Sequence, residues 1–207
     1  MKPHANDKHT DTMNISVFCG SSLPRNKEIA GAAAALGRLI AQEGHTLLYG
    51  GSNLGLMGAV SGAALEQGGH VVGVIPTFFS EEVILSQPVS QLVRVASMAE
   101  RKEYLIAHSD AFIALPGGIG TLDEAFEVMV ANQLGLSRKP IGLLNTNNFY
   151  QPLMQQLQLM EQEGLYRLAN ADYLVIEAQP DRLLQRLCRY TPNPDQGHIA
   201  QRLRNKA

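Results

Sequence analysis

The sequence predicts a three-layer α/β/α, Rossmann-like fold with a mainly parallel sheet of about seven strands. Two observations support this class. Short apolar runs alternate along the 207 residues with segments of helical periodicity, and this alternation is typical of strand–helix–strand units. Some of the runs are also apolar at every position, as expected for parallel strands that are buried on both faces of a sheet.

The predicted strands are short segments bounded by glycine, proline or polar residues. They cover 14–19, 46–49, 70–75, 91–95, 111–115, a sixth segment from 139 or 140 to 144, and 173–176. The fifth segment has no polar residue and is followed by Pro116, which cannot continue a hydrogen-bonded strand. Crossovers between parallel strands place every loop that follows a strand at one edge of the sheet, where ligands bind.

The predicted helices lie between these strands and after the last one. They cover 26–43, 54–67, 97–108, 121–134, 148–163 and 180–190. In the first helix, Ile29, Ala33, Leu36 and Ile40 recur at a spacing that places them on one face. The last helix opens at Pro180, a residue favoured in a first turn.

Two of the helices begin with a Ser/Thr-x-x-Glu pattern. Ser97 with Glu100, and Thr121 with Glu124, each match a capping box, in which the two side chains satisfy backbone N–H groups of the first turn. The pattern therefore predicts that Ser97 and Thr121 are the N-cap residues of their helices.

The composition is that of an ordinary globular protein. Hydrophobic residues make up 45% of the chain, charged residues 17%, and the formal net charge is −2. The length favours a single domain, which we place at 14–190, between a flexible N-terminal arm (1–13) and a flexible C-terminal tail (191–207). The charge gives no reason to expect a nucleic acid or an anionic membrane as a partner.

Cysteine and histidine usage points away from disulfides and metal sites. Cys19 and Cys188 are too few for a disulfide framework or a Cys-x-x-Cys site, and the six histidines show no metal-ligand spacing. We therefore expect a reduced, cytoplasmic protein that needs no metal. No apolar run approaches the roughly 20 residues of a membrane-spanning helix.

The stretch 116–124 is the strongest candidate for a ligand site. Three glycines (Gly117, Gly118 and Gly120) follow the buried fifth strand and precede a helix. Glycine lets the backbone turn tightly and leaves no Cβ between the main chain and a ligand. The N–H groups and partial positive charge of a helix N-terminus favour phosphate.

Other loops fall at the same edge of the predicted sheet. They are the Ser21-Ser22 and Gly50-Gly51 turns and the start of the Ser97 helix. The Gly50-Gly51 turn leads into a second glycine-rich helix start, but it lacks the GxxxxGK[ST] pattern of a P-loop. Its strand ends in Tyr49 and Gly50 rather than in the acidic residue typical of dinucleotide sites.

The stretch 116–124 also resembles a known family. It matches the PGGxGTxxE motif of the LOG family, the cytokinin riboside 5'-monophosphate phosphoribohydrolases, which are often labelled lysine decarboxylases. The Arg101-Lys102 pair upstream is a second family mark, and the resemblance runs from about Asn14 to Tyr190. It implies that Arg101 and Glu124 form the catalytic pair and that no redox cofactor is required.

A nucleoside monophosphate fits this edge of the sheet. Its phosphate is expected at the N–H groups of 117–121, its base near Met98, and its ribose near Glu124. Cleavage of an N-glycosidic bond passes through a transition state with oxocarbenium character, which a carboxylate stabilises. The candidates for substrate binding are Ser21, Gly50, Gly51, Met98, Lys102, Pro116, Gly117, Gly118, Ile119, Gly120 and Thr121.

The predicted reaction is hydrolysis of AMP or an N6-substituted AMP to the free base and ribose 5-phosphate. The sequence departs from the family in two places that bear on substrate preference. Glu81 and Glu82 lie in the loop that carries a ligand-contacting glutamate in the family, but the aligned position is Val83. The family's Thr-Trp pair is replaced by Val130-Ala131, and the chain has no tryptophan.

Two other functions remain open from the sequence. The first is a nucleotide or phospho-ligand sensor that uses the same turn without turnover, although such a binder gains nothing from the Glu124 carboxylate beside an anion. The second is a pyridoxal-phosphate decarboxylase, for which Lys102 would have to form the Schiff base. No Asp or Arg partner for the pyridine ring is evident for that enzyme.

We also predict a homodimer, the assembly that the family resemblance implies. The 97–108 and 121–134 helices carry apolar residues on more than one face. These residues are Met98, Leu105, Ile106, Phe126, Met129 and Val130. Methionine-rich surfaces adapt well to a partner, and the chain has seven methionines.

Overall fold

The computed structural model describes residues 12–79, 89–167 and 171–193. Their strands form one seven-stranded sheet in the order β4-β3-β2-β1-β5-β6-β7, and every neighbouring pair is parallel. The strands are β1 (Asn14–Phe18), β2 (Thr46–Tyr49), β3 (Val71–Pro76), β4 (Gln91–Val95), β5 (Ala111–Ala114), β6 (Ile141–Leu144) and β7 (Leu174–Glu177). The predicted α/β/α fold and strand number are confirmed.

Helices cover both faces of this sheet. They are α1 (Lys27–Gln42), α2 (Gly55–Glu66), α3 (Met98–His108), α4 (Ile119–Gln133), α5 (Gln151–Gln162) and α6 (Pro180–Cys188), with a short 3-10 turn at Thr146–Asn148. None of the helices in the described part of the chain combines the length and the apolar character needed to span a bilayer.

Two hydrophobic cores account for the three layers. In β5, Ile113 belongs to the core beneath α1, α2 and α6, whereas its neighbour Phe112 belongs to the core beneath α3, α4 and α5. Successive side chains of a strand point to opposite faces, so an uninterrupted apolar strand supplies both cores at once. This is why the central strands of the sequence lack polar alternation.

The strand order changes direction beside β1. The chain runs outward from β1 through β2 and β3 to β4, and then returns through α3 to β5 on the other side of β1. In such sheets a crevice opens at the carboxyl ends of the strands where the order reverses. The loops after β1 and β5, and the N-termini of α3 and α4, therefore meet at this point.

Several predicted boundaries are corrected by the structure. The helix predicted from Thr121 begins at Ile119, with Gly118 as its N-cap and no side-chain cap among the described residues, so the Thr121–Glu124 capping box is wrong. The Ser97 N-cap is confirmed, since Ser97 Oγ accepts from Glu100 N at 3.1 Å, but the Glu100 carboxylate accepts from Ala96 N at 2.8 Å rather than from Ser97 N. Strand β3 includes Pro76, one residue beyond its predicted end at 75.

The helix predicted at 148–163 begins three residues later than expected. The 3-10 turn ends at Asn148 and α5 begins at Gln151. Asn147 and Asn148 both have positive φ, at 54° and 56°, a conformation that asparagine tolerates better than most residues. This break turns the chain so that Phe149 lies beside the crevice and Tyr150 lies in the core.

The predicted termini and one loop fall largely outside the described residues. This applies to most of the 1–13 arm, to most of the 191–207 tail and to the loop that carries Glu81, Glu82 and Val83. Met13, which the sequence placed in the arm, is part of the fold. Its carbonyl oxygen accepts from Thr46 N at 2.9 Å and its N–H donates to His45 Nδ1 at 3.2 Å.

Candidate active site

A cavity of about 480 Å³ lies at the crevice above β1 and β5. The loops after these strands form two of its sides, and the first turns of α2, α3 and α4 contribute the others. Its lining residues are Cys19, Gly20, Ser21, Ser22, Leu23, Pro24, Ile29, Leu56, Met57, Met98, Arg101, Pro116, Gly117, Gly118, Gly120, Thr121, Asp123, Glu124 and Phe149. The walls thus combine an apolar side with a glycine turn and an ionic pair.

The glycine turn brings the backbone of 116–118 onto the first turn of α4. A Cβ on Gly117 would lie 2.6 Å from Thr121 Cβ and nearer still to the hydroxyl, so only glycine fits at this position. Thr121 is buried by this contact. Because no side chain of the described residues caps α4, its first N–H groups are available to a ligand in the cavity.

A buried ion pair lies beside this turn. Arg101 Nη2 donates to Glu124 Oε1 at 2.9 Å, and the two residues are only 9% and 6% exposed. Arg101 comes from the first turn of α3 and Glu124 from the second turn of α4. The pair therefore joins the two helices across β5, as expected from their flanking positions in the sequence.

The guanidinium of Arg101 has few other partners. Its Nη1 lies 3.9 Å from Met98 Sδ, and its Nε has no hydrogen-bond partner among the described residues. A guanidinium carries five N–H donors, and a buried charge is normally satisfied more fully than this. An anionic or oxygen-rich ligand in the cavity would supply the missing acceptors.

Burial raises the pKa of Glu124 above its ordinary value, and the charge of Asp123 adds to the rise. The charge and hydrogen bond of Arg101, and the more distant Lys102, act in the opposite direction. Glu124 is thus a carboxyl whose pKa is set by two opposing effects, which is typical of groups that exchange protons in enzymes.

The structure places Lys102 outside the cavity lining. Its Nζ lies 3.0 Å from Asp123 Oδ2 and 2.8 Å from Glu127 Oε2. These two hydrogen bonds raise the pKa of Lys102 and hold the amine protonated. A protonated amine is not a nucleophile, so the geometry gives no support to a Schiff base at this lysine.

Three other predicted binding residues lie away from the cavity wall. Ile119 is 83% exposed on the outer side of α4. Gly51 has a φ of +75° and packs against β3, where a Cβ would lie 3.0 Å from Ile75 Cβ. Gly50 faces the Arg101 side chain rather than the open cavity.

Most of the predicted residues do line one cavity. These are Ser21, Met98, Arg101, Pro116, Gly117, Gly118, Gly120, Thr121 and Glu124. The Ser21 loop is held against α2 by a hydrogen bond from Leu56 N to Gly20 O at 3.0 Å. Gly55, with a φ of +59°, permits this approach, because a Cβ there would overlap the Ser21 backbone.

Sequence reasoning missed Cys19, Met57 and Phe149 as lining residues. Cys19 follows β1, and Phe149 lies in the loop after β6. Ligands bind where parallel strands end, and the same argument that selected Ser21 could therefore have found both residues. Burial, with the nearby Glu124 charge, raises the pKa of the Cys19 thiol far above its ordinary range. The thiol is therefore protonated and is not the nucleophile of this site.

One group of potential metal ligands lies elsewhere, near the start of β1. Glu43, His45 and Cys188 have ligand atoms within 4.8 Å of one another. His45 Nδ1 accepts from the Met13 N–H, so the neutral ring carries its proton on Nε2, which faces Cys188 Sγ at 3.3 Å. This tautomer leaves no lone pair on Nε2 for a metal, and His45 is a structural residue of the core.

The fold and this cavity define a class of protein. An uncapped helix N-terminus, at the point where a parallel sheet reverses its order, is typical of α/β proteins that bind phosphorylated ligands. A family model described as "Possible lysine decarboxylase" matches residues 57–187, more than half of the chain.

The curated relatives are more specific. The chain is 40% identical over 186 residues to the cytokinin riboside 5'-monophosphate phosphoribohydrolase LOG of Oryza sativa subsp. japonica, covering 89% of this chain and 76% of that protein. It is 39% identical over 181 residues to LOG5 of Arabidopsis thaliana, with 87% and 79% covered. The chain belongs to the LOG family of cytokinin riboside 5'-monophosphate phosphoribohydrolases.

Solved structures support the fold. A molybdenum cofactor binding protein from Rippkaea orientalis has a TM-score of 0.62 and 25% identity, over 84% of this chain and 94% of that one. The molybdenum cofactor carrier protein of Chlamydomonas reinhardtii has a TM-score of 0.65 and 22% identity, over 87% and 100%. These proteins share the architecture of this chain.

Proposed function

We propose that the protein hydrolyses the N-glycosidic bond of a nucleoside 5'-monophosphate, AMP or an N6-substituted AMP, to the free base and ribose 5-phosphate. The observation that carries this proposal is the buried Arg101–Glu124 pair, which lines the same cavity as the uncapped N-terminus of α4. The proposed phosphate site and a carboxylate suited to ribosyl chemistry would thus lie side by side.

The phosphate is proposed to bind at the glycine turn. The backbone of Gly117, Gly118 and Gly120 is close to the cavity, and Thr121 completes the first turn of α4. N–H groups at a helix N-terminus favour an anion by direct hydrogen bonds and by the helix dipole. The Pro116 ring contributes an apolar wall below this turn.

Glu124 is proposed to stabilise the ribosyl cation and to position water. As the bond between C1' and the glycosidic nitrogen breaks, its electron pair leaves with the base and positive charge develops on the ribosyl ring. The ionised carboxylate opposes that charge and accepts a proton from the attacking water. The base takes up one proton as it departs and Glu124 gives up the proton that it took from water, so the net reaction consumes one water and yields a neutral base and ribose 5-phosphate.

Arg101 has two proposed roles. Its charge holds Glu124 in the ionised state against the effect of burial. Its remaining N–H donors are suited to orient the substrate and to assist the departing base. These roles explain why a charge pair is retained in a site that burial alone would make unfavourable for both ions.

The base is proposed to lie over the apolar part of the cavity, near Met98, with Ser21 at the opposite loop. Four residues are no longer proposed as substrate ligands, because they do not line the cavity: Gly50, Gly51, Lys102 and Ile119. Lys102 instead ties α3 to α4 through Asp123 and Glu127.

A nucleotide panel tests the activity directly. The protein is incubated with AMP, other nucleoside monophosphates and N6-substituted AMP, and released bases are separated by chromatography. We expect base release from at least one adenine nucleotide, and none from the matching nucleosides that lack the phosphate. Measurable nucleotide binding without any released base would favour a sensor, the second candidate.

The same cavity also suits the non-catalytic reading, and two similar structures are named as molybdenum cofactor binders or carriers. A buried carboxylate beside the proposed phosphate site weakens the binding of an anion, which argues for turnover.

An absorbance scan of the purified protein tests whether the protein is a pyridoxal-phosphate decarboxylase, since a bound pyridoxal aldimine absorbs in the visible range.

We further propose that the chain acts as a homodimer through the outer face of α3 and α4. Met98 and Val130 are 40% and 49% exposed, which fits an interface. Leu105 and Met129, which the sequence assigned to that surface, are instead buried in the core of the same chain. The proposed surface is therefore smaller than the sequence alone suggested.

A further inference from the structure

Gly50 lies directly after β2, buried against the side chain of Arg101. A Cβ on Gly50 would lie 2.9 Å from Arg101 Cζ and from Met57 Sδ, and closer still to Arg101 Nη2. Real Cβ atoms do not approach other heavy atoms that closely. The guanidinium of Arg101 therefore occupies the space that any other residue at position 50 would fill with its own side chain.

We propose that Gly50 is a positioning residue for the Arg101–Glu124 pair. Its missing side chain lets Arg101 lie deep enough for Nη2 to reach Glu124 Oε1 at 2.9 Å. Gly50 acts through Arg101 and does not contact the substrate. The importance of this role for turnover rests on the proposed function of the pair.

The geometry separates this role from that of the adjacent glycine. Gly51 needs a positive φ of +75°, so a side chain there strains the backbone whatever the available space. Gly50 is not in that region, and its three nearest contacts are all side-chain atoms. An alanine at position 50 thus fits the backbone and displaces Arg101, Met57 or both.

Displacement of Arg101 changes the electrostatic environment of Glu124. The groups that act on this carboxyl are Arg101 and Lys102, which favour its ionised form, and Asp123, which opposes it; the protonated Cys19 thiol is also close. Arg101 is the largest of the ionising influences. Without it in place, burial and Asp123 act almost unopposed.

The test compares Gly50→Ala with Gly31→Ala, a control on the exposed side of α1 where no described atom lies within 4 Å of an added Cβ. We expect Gly50→Ala to lower kcat by about 10²-fold, the usual effect of misplacing a catalytic group by about 1 Å. The acid limb of its pH–kcat profile should move to higher pH. Gly31→Ala should keep both at the wild-type values.

A second readout does not depend on activity. The titration of the Glu124 carboxyl is followed by ¹³C NMR, and its signal is assigned by its loss in Glu124→Gln. We expect a higher titration midpoint in Gly50→Ala than in the wild type. If the wild type releases no base from any nucleotide, the proposed function fails, whereas this titration still decides the role of Gly50.

Two outcomes in a folded Gly50→Ala variant would overturn the inference. One is an unchanged kcat together with an unchanged titration midpoint of Glu124. The other is a raised KM alone, which would indicate substrate contact. If Gly50→Ala does not fold, Arg101→Lys is added, because lysine lacks the Nη2 atom that the new Cβ meets. Recovery of cooperative melting supports the inference; continued failure, when Arg101→Lys alone folds, contradicts it.

Discussion

At the scale of single residues, the site depends on two charges that are stable only together. Arg101 and Glu124 are each more than nine-tenths buried, and each is the main charged partner of the other. Removing one member of such a pair leaves an uncompensated charge, which is more costly than removing both. Variants that remove the charge of Arg101 should therefore affect nucleotide affinity and stability differently from variants that remove the charge of Glu124.

The substitution Glu124→Gln separates catalysis from structure. Glutamine keeps the size of the side chain and an oxygen for Arg101, but it removes the negative charge. We expect turnover to fall by about 10²-fold or more, roughly 3 kcal/mol of transition-state stabilisation. Nucleotide affinity should persist or increase, because an anion near the phosphate has been neutralised.

Steady-state kinetics and calorimetric binding measure these two quantities, with the melting temperature as the folding control. Because α4 begins at Ile119, Glu124 is no capping residue, and the helix does not depend on its charge. Full turnover in a folded Glu124→Gln variant would remove this residue from the mechanism.

The substitution Arg101→Ala should lower turnover and affinity together, and it should make stability pH-dependent. Burial already raises the pKa of Glu124 in the folded protein, and loss of Arg101 raises it further. A carboxyl with a raised folded pKa contributes stability below its unfolded pKa of about 4.3 and loses it as pH rises through the folded value. The variant should thus be destabilised at pH 8 by about 3 kcal/mol, and less at pH 5.

Thermal unfolding of Arg101→Ala and wild type across this pH range measures the difference. Lys102→Ala is the matched control, since its ion pairs with Asp123 and Glu127 lie at the surface and contribute little. An equal loss of stability at both pH values would show that Arg101 does not control the ionisation of Glu124.

At the scale of an element, the N-terminus of α4 joins the glycine turn to the ion pair. The N-cap is Gly118, three residues earlier than the capping pattern suggested, and Gly117 packs directly on Thr121. The Thr121 side chain is used in this contact rather than as a cap. The same backbone thus forms the proposed phosphate site and holds Glu124 one turn further along.

This contact predicts the effect of Gly117→Ala. The added Cβ would meet the Thr121 side chain and push the turn away from α4, so we expect nucleotide affinity to fall by about tenfold or more. Gly118→Ala should cost less, because no described atom lies within 4 Å of its added Cβ. Binding titrations with AMP measure both; equal losses would argue against the packing explanation.

The loop after β6 shows how an element end supplies a side chain to the site. Tyr150 O–H donates to Leu115 O at 2.5 Å, and its N–H donates to Asn145 Oδ1 at 2.7 Å. These bonds attach the loop to the residue that precedes Pro116. Phe149 is held at the cavity as a result, with its ring edge-to-face on Tyr150.

At the scale of the whole molecule, exposed apolar residues on one side indicate where a second copy would bind. Val130 and Leu134 of the α4 region are 49% and 39% exposed, and Leu136 just beyond is 75% exposed. Such residues together are more typical of an interface than of a free surface. The first turns of the same two helices line part of the cavity, so a dimer of the proposed kind would place the second copy near it.

The dimer is tested with Val130→Glu. A buried, unpaired charge at an interface core weakens association, so we expect this variant to shift towards the monomer mass. Leu165→Glu, at a residue 77% exposed outside α3 and α4, is the control and should keep the wild-type mass. Analytical ultracentrifugation measures both, and a monomeric wild type at working concentrations would refute the assembly.

Local sequence features determined the fold class and most element boundaries. Strand burial on both faces requires apolar runs, and helix packing on a sheet requires a 3.6-residue period, so both are readable from neighbouring residues. The Gly-rich turn after β5 and the Ser97 cap were readable for the same reason. Because the loops after parallel strands meet at one edge of the sheet, Ser21, Arg101 and Glu124 could be grouped without any coordinates.

Only the tertiary structure decided how the side chains divide their roles. Arg101 and Lys102 are adjacent in sequence, but one turns into the cavity and the other crosses the surface to α4. Gly50 and Gly51 look alike in sequence, yet one makes room for Arg101 and the other adopts a positive φ. These differences arise from contacts between residues far apart in the chain, and no local pattern of apolar spacing or turn chemistry records the direction of a side chain.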